Sequence, residues 1–173
     1  MKRRTFLASL VVLPLAAQAA PRPIIRIKKK ERLLRFEPAI GEAREFRCAL
    51  GGAPEGDKER QGDSRTPEGE HYVAWKNPKS AFHLFLGLSY PMIHHAALGR
   101  QSGLIDTATE EEIRRKVKAR RQPPQHTKLG GWVGIHGGGS SADWTLGCIA
   151  VTDEEIEWIY ARAEVGDKVI IEP

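Results

Sequence analysis

From Pro23 onward the chain is divided into short segments rich in branched and aromatic residues: PIIRIKK, RLLRFE, EFRCAL, HYVAWK and FHLFLGLS. Gly, Pro and Asp clusters separate them, and no internal repeat is present. Segments of this length and spacing are strands, and their succession predicts a sandwich or barrel rather than a helical bundle. GGAPEGDKERQGDSRTPEG, residues 51–69, is a long polar loop that serves as a connector or a site wall. TATEEEIRRKVKARR, residues 107–121, has the composition of an exposed helix with Thr109 as its N-cap.

The C-terminal third is more sharply patterned. GWVGIH is a strand ending at His136, and GCIAV is a strand opening at Cys148. Thr152 and Glu155 have the spacing of a capping box, so a helix starts directly after that strand. Ile156, Ile159, Tyr160 and Ala163 share one face of it, Gly166 stops it, and KVIIE returns as a last strand.

The N-terminus, MKRRTFLASLVVLPLAAQAAPRP, combines a basic start, an apolar run over Phe6–Ala16 and a small-x-small site at Ala17-Gln18-Ala19. That is the pattern of a secretory signal peptide over residues 1–19, and its apolar run is shorter than the roughly 20 residues of a membrane span. Arg3-Arg4 before Thr-Phe-Leu also resembles a twin-arginine signal, so both export routes stay open. The expectation is a protein exported to the periplasm or cell envelope, with residues 20–173 forming one domain large enough for a real core.

Three of the 27 basic residues fall in the first 19 positions, where no acidic residue occurs, leaving 24 against 22. So slight an excess excludes a nucleic-acid partner as an inference from charge. RIKKKERLLR (26–35) and RRKVKARR (114–121) read as solvated faces, with contact to an anionic envelope as the functional alternative. A Cys48–Cys148 bridge would close a loop of about 100 residues, for roughly 4–5 kcal/mol in the chain-entropy model. Cys48 lies in the alternating segment REFRCAL, where a buried free thiol is the ordinary occupant.

IHGGGSSADWTLGC, residues 135–148, puts an imidazole and a thiol at two strand ends joined by a glycine-rich loop. Such a loop can bring both ends to one edge of the sheet, with Cys148 as nucleophile and His136 as its base. Gly147 lets the backbone turn sharply, which can aim the amides of Gly147 and Cys148 at a common oxyanion. Taken singly, each element has a plainer reading: a core cysteine, a surface histidine, a flexible loop.

IHG…DWTLGCIAVTD resembles the signature of the L,D-transpeptidase catalytic domain family, His-Gly followed by Ser/Thr-x-Gly-Cys and a short apolar strand. His136-Gly137 matches the first element and Thr145-Leu146-Gly147-Cys148 the second. GDSRTPEGEHYVAW (62–75) is similar to the family's upstream Thr-Pro-x-Gly strand entry, and FHLFLGLSYP (82–91) to its murein transpeptidase-like branch. The resemblance spans roughly residues 24–173. It implies a mainly β fold with peripheral α-helices, an L,D-transpeptidase-like sandwich or barrel of mixed sheets.

The same resemblance implies an enzyme acting on peptidoglycan stem peptides. Cys148 would attack the carbonyl at the L-centre of the third-position diamino acid, and D-alanine would leave. An amine from a neighbouring stem, or an envelope protein, would resolve the thioester. His136 would move the protons, its other nitrogen held by a partner such as a backbone carbonyl, and Gly147, Gly137 and Thr145 would supply oxyanion and backbone support. No cofactor or metal is implied, and the protein is expected to be a monomer. One position departs from the pattern: many members carry Arg two residues after the cysteine, and here it is Ala150. That substitution makes L,D-endopeptidase or carboxypeptidase hydrolysis the alternative outcome.

Competing chemistries are thinner. His71, His83, His94, His95, His126 and His136 include no His-x-x-x-His pair for zinc, and His94-His95 read as solvent-facing at a helix start. His83 reads as a strand residue packed beside aromatics, with a wall of the substrate cleft as the alternative. A Ser141–His136–Asp143 triad lacks a nucleophile-elbow sequence. Trp132, Trp144 and Trp158 read as packing. A non-catalytic peptidoglycan-binding protein is the remaining class, and its thiol would show no unusual reactivity at low pH.

Overall fold

A computed structural model describes residues 20–173; the segment expected to be a signal peptide lies outside them. Eight strands form one curled sheet. In chain order they are β1 (Ile24–Lys28), β2 (Leu33–Glu37), β3 (Arg44–Arg47), β4 (Gly69–Ser80), β5 (His83–Leu88), β6 (Gly134–His136), β7 (Ile149–Ala150) and β8 (Lys168–Glu172). The spatial order is β3-β2-β1-β8-β4-β5-β6-β7. Most neighbours are antiparallel, while β1–β8 and β6–β7 are parallel. β4 is long enough to pair with β8 through its first residues and with β5 through its later ones. The two edges of the sheet meet where Ala49, just past β3, bridges Ala150 of β7.

Alternation in the sequence explains which face is inside. Ile25 and Ile27 of β1 lie in register with Val169 and Ile171 of β8, and all four are buried. Leu34 and Phe36 of β2 continue the same layer. Each such side chain contributes about 1.5–3 kcal/mol on full burial. Three helices pack outside: α1 (Ile93–Gln101), α2 (Thr107–Lys118) and α3 (Asp153–Tyr160). α3 starts at the Thr152–Glu155 capping box, with Glu155 N–H donating to Thr152 Oγ1 at 3.3 Å and Thr152 N–H to Glu155 Oε2 at 2.9 Å. Its Ile156 and Ile159 enter the main core, whereas α1 and α2 enclose a second cluster around Ile113 and Leu129.

Several local expectations are corrected. Asp106, not Thr109, caps α2: it precedes the first helical residue and its carboxylate accepts the Thr109 N–H at 2.8 Å, while Thr109 lies inside the first turn. α3 ends at Tyr160 rather than at Gly166, whose φ of +94° instead turns the chain into β8. Tyr160 is partly buried and packs against the core that Ile156 and Ile159 of α3 enter, and Ala163, beyond the helix, joins the same core. Cys48 and Cys148 are both free thiols. The basic stretch 26–35 is not a uniform solvated face: Arg26 pairs with Glu37 and Glu172, and Lys29 is buried against Glu68.

Candidate active site

His136 closes β6, and Cys148 immediately precedes β7. The two strands run parallel, with Ile135 opposite Ile149 and His136 opposite Ala150. Parallel pairing corrects the expectation that both strand ends lie at one edge of the sheet. The two residues instead line one cleft. Extending the register sets Cys148 opposite Gly134, two residues back from His136, so both side chains leave the same face with their Cα atoms roughly 8 Å apart. The fifth strand frames the pair from the other side, Phe85 lying opposite His136.

The imidazole is buried and oriented. His136 Nδ1 lies 2.6 Å from the carbonyl oxygen of Gly137. A carbonyl can only accept, so Nδ1 carries the proton and Nε2 keeps its lone pair. This is the backbone orienting partner that the sequence left unassigned. Burial holds the His136 titration below its ordinary value, the Gly137 hydrogen bond opposing only in part. The ring stacks on Phe82 with centroids 4.6 Å apart, and Trp144 meets it edge-on at 5.6 Å.

Cys148 is partly buried, and its thiol donates to the Trp132 carbonyl at 3.3 Å. Among the described residues it makes no hydrogen bond to His136. Desolvation pushes the thiol up to about 11, against the smaller opposing effects of the Gly134 N–H and the Lys58 ammonium. The resting pair is therefore thiol and neutral imidazole, not thiolate and imidazolium. Unusual reactivity at low pH is accordingly no mark of this site.

The turn before Cys148 is tightly specified. Thr145 Oγ1 donates to the Cys148 carbonyl at 2.8 Å and accepts the Gly147 N–H at 3.1 Å. The Gly147 amide is thus committed inside the turn. Among the described residues, the Cys148 amide makes no hydrogen bond. Gly147 has φ +131°, and a Cβ there would lie 2.6 Å from the Arg65 carbonyl oxygen, so only glycine fits. Gly137 stands beside α3, its N–H donating to Phe82 O at 3.1 Å. The adjoining Gly138 N–H donates to Asp153 Oδ1 at 2.8 Å. Asp143 fixes the long loop from outside: Arg32 grips its carboxylate at 2.7 and 2.9 Å, and it accepts the Leu50 N–H at 2.9 Å. Its carboxylate is occupied away from His136, which removes the Ser141–His136–Asp143 triad.

A cleft of about 900 Å³ runs past the pair. Phe82, Trp132, Trp144 and Leu146 line it and are 42–80% exposed, so two of the three tryptophans face a binding surface rather than packing inward. Trp158 does pack, edge-on to Phe36 at 5.3 Å. Lys58, from the 51–69 loop, is a buried cation in the cleft wall. Its spacing from Cys148 in sequence gave no signal of this proximity. His83 sits at the β4–β5 turn, exposed and 2.7 Å from Glu157 of α3, so it is neither packed beside aromatics nor in the cleft.

Asp57, His94 and His95 approach closely enough to suggest a cation. His95 is buried, contrary to the solvent-facing expectation, and its Nδ1 accepts the Met92 N–H at 3.1 Å. Its Nε2 must then carry the proton it donates to Asp57 Oδ1 at 3.1 Å. Asp57 Oδ1 also accepts the N–H groups of Lys58 and Glu68, both at 2.8 Å. Oδ1 thus holds three donors, Oδ2 lies 3.4 Å from His94 Nε2, and the cluster fastens the 51–69 loop to α1.

A thiol and an oriented neutral imidazole on one face of a curled sheet, at the wall of an apolar cleft, form a candidate cysteine acyl-transfer site. Residues 22–171 match the family model of the YkuD, or L,D-transpeptidase catalytic, domain, and the chain belongs to that family. Its fold is similar to that of the helical cell shape determining protein Pgp2 of Campylobacter jejuni (22% identity, TM-score 0.55), over 87% of this chain and 47% of that one. It is also similar to Bd1075 of Bdellovibrio bacteriovorus (20%, TM-score 0.50), over 90% of this chain and 49% of that one. An L,D-transpeptidase of Xylanimonas cellulosilytica DSM 15894 (residues 123–326) matches at 15% identity and TM-score 0.50, over 92% and 64%. The chain thus spans about half the length of Pgp2 and Bd1075, and likenesses at these identities concern the fold. No curated protein sequence matches it.

Proposed function

We propose that this protein is a cysteine-dependent L,D-transpeptidase acting on peptidoglycan stem peptides in the cell envelope. The observation that carries the reading is the Nδ1 hydrogen bond of His136, which leaves Nε2 as a base on the same face as Cys148. Rotation about the Cys148 Cα–Cβ bond exchanges the Trp132 carbonyl for that nitrogen, as catalytic hydrogen bonds often tighten only with substrate in place. Nε2 takes the thiol proton while sulfur attacks the carbonyl at the L-centre of the third residue. The Cys148 amide faces the developing oxyanion, and the electron pair returns to expel the D-alanine amine, which takes the proton from His136. A thioester remains. His136 then deprotonates an incoming amine, from a neighbouring stem or an envelope protein; the amide forms, the C–S bond breaks, and the cycle closes as the leaving thiolate takes that proton back from His136.

The half-exposed aromatic walls suit the sugar and alkyl faces of such a substrate. Family membership and the match to Pgp2, a cell-shape protein, support peptidoglycan as the substrate class. Ala150 is buried and carries no cation into the cleft, which keeps water in play as the resolving nucleophile. Incubation with a disaccharide-tetrapeptide tests the reading: 3→3 dimers are expected. Tripeptide alone would make the enzyme a hydrolase, and unchanged substrate would make the protein a binding module.

A further inference from the structure

The 51–69 loop carries a lysine in an expensive place. Lys58 is 3% exposed, yet its Nζ has only two hydrogen bonds among the described residues, to Asp63 Oδ1 at 2.6 Å and to the Arg60 carbonyl at 3.1 Å. An ammonium has three protons to place, and leaving one unmatched in a buried site is costly. The nearest aromatic face, Tyr90, is 5.9 Å away and a weak partner. Nζ lies 3.5 Å from the point where a Gly147 side chain would begin, directly beneath the Gly147–Cys148 turn. The other basic groups of the cleft, Lys128 and His126, are exposed.

Asp63 holds Lys58 there by a dense set of contacts. Its carboxylate also accepts the N–H groups of Glu59, Arg60 and Arg65 at 2.8, 2.9 and 3.1 Å, which fixes the loop around it. The ammonium is therefore held in the cleft wall next to the sulfur's turn. No guanidinium follows the cysteine here, since position 150 is alanine.

We propose that Lys58 is a positioning residue that supplies fixed positive charge to the Cys148 turn, stabilising the thiolate and the anion that forms when it attacks. Asp63 tempers that charge. This rests on Cys148 being the nucleophile, and it adds a cation from a distant loop to a site otherwise built from His136 and backbone. His136 faces the sulfur from β6 as a neutral ring and becomes the second positive charge only after proton transfer.

Iodoacetamide labelling of Cys148, followed by peptide mapping at pH 8, reads the effect. That pH lies well below the thiol's titration at about 11, so the rate tracks the thiolate fraction and a tenfold change corresponds to one pH unit. Lys58→Met should slow labelling roughly three- to tenfold, Lys58→Arg should restore most of it, and Asp63→Asn should accelerate it. A purely structural loop would slow labelling in both Lys58→Met and Asp63→Asn; that result, or no change in either, overturns the proposal. If Lys58→Met fails to fold by circular dichroism, Asp63→Asn decides alone: faster labelling supports the proposal, and an unchanged or slower rate overturns it. Failure of the nucleophile reading itself would look different: normal labelling at Cys148 in a protein that turns over no stem peptide.

Discussion

Gly147→Ala is a demanding change at the site, combining backbone strain with a backbone clash. The residue sits at φ +131°, a conformation that costs an L-residue about 1–3 kcal/mol. The added methyl would also lie 2.6 Å from the Arg65 carbonyl oxygen, which is backbone and cannot swing aside. Relief of that overlap adds about 1–3 kcal/mol. The combined cost is about 2–6 kcal/mol, or roughly 5–20 °C in melting temperature for a chain of this size. The strain is relieved only by moving the turn that carries Cys148, and a displacement near 1 Å at a reacting atom costs about 100-fold in rate. Gly139→Ala is the control: φ is also positive, +101°, but nothing lies within 4 Å of the new methyl. Its cost is about 1–2 kcal/mol, with little effect on rate. Calorimetry and the rate of carbapenem acylation by intact mass separate the two. A Gly147→Ala protein that melts with the wild type and acylates at its rate would refute the reasoning.

Other outcomes follow from the same geometry. Asp143→Ala removes the hydrogen bonds that Arg32 and the Leu50 N–H make to the loop; the Arg32 and Asp143 side chains are partly exposed, so the loss should be about 1–2 kcal/mol in urea unfolding at neutral pH. Burial opposes ionisation of Asp143, but Arg32 and the Leu50 amide hold its titration below the ordinary carboxylate value. Its contribution is therefore fully present above about pH 4 and lost as pH falls through the depressed folded-state titration, so the gap between wild type and variant should narrow on acidification below about pH 4. Thr145→Val deletes the hydroxyl that joins Gly147 N–H to the Cys148 carbonyl and should cost about 1–3 kcal/mol, with slower acylation. The acid limb of acylation should fall below pH ~6.5, because burial lowers His136. Alkylation of Cys148 should keep rising through pH ~10, since its thiol titrates near 11; a plateau at acidic pH would indicate a preformed ion pair instead.

Much of the framework was legible because it depends on local pattern. The branched residues of PIIRIKK and KVIIE marked two strands, and Thr152-x-x-Glu155 marked the start of α3. The His136 and Cys148 segments were legible as strand ends for the same reason. Their parallel pairing was not, because register across an intervening loop leaves no periodic trace. Asp106 was missed as a cap because Thr109 lay nearer the acidic run, although the carboxylate three residues earlier is the better acceptor. Lys58 and the Arg32–Asp143 clasp depend on chain crossings of tens of residues or more, which composition and spacing do not encode. The tryptophans divide by burial alone: Trp158 packs, whereas Trp132 and Trp144 open onto the cleft.

The most direct measurement is intact mass of the protein after exposure to a carbapenem, a strained acyl donor, followed by peptide mapping. Wild type and Cys48→Ala should each gain one adduct on the peptide containing Cys148. Cys48 titrates near 12 in the core and is not expected to react. Cys148→Ala should gain none while melting close to wild type. Acylation that persists in Cys148→Ala, or a folded wild type that is never acylated, would contradict the assignment of Cys148 as the nucleophile.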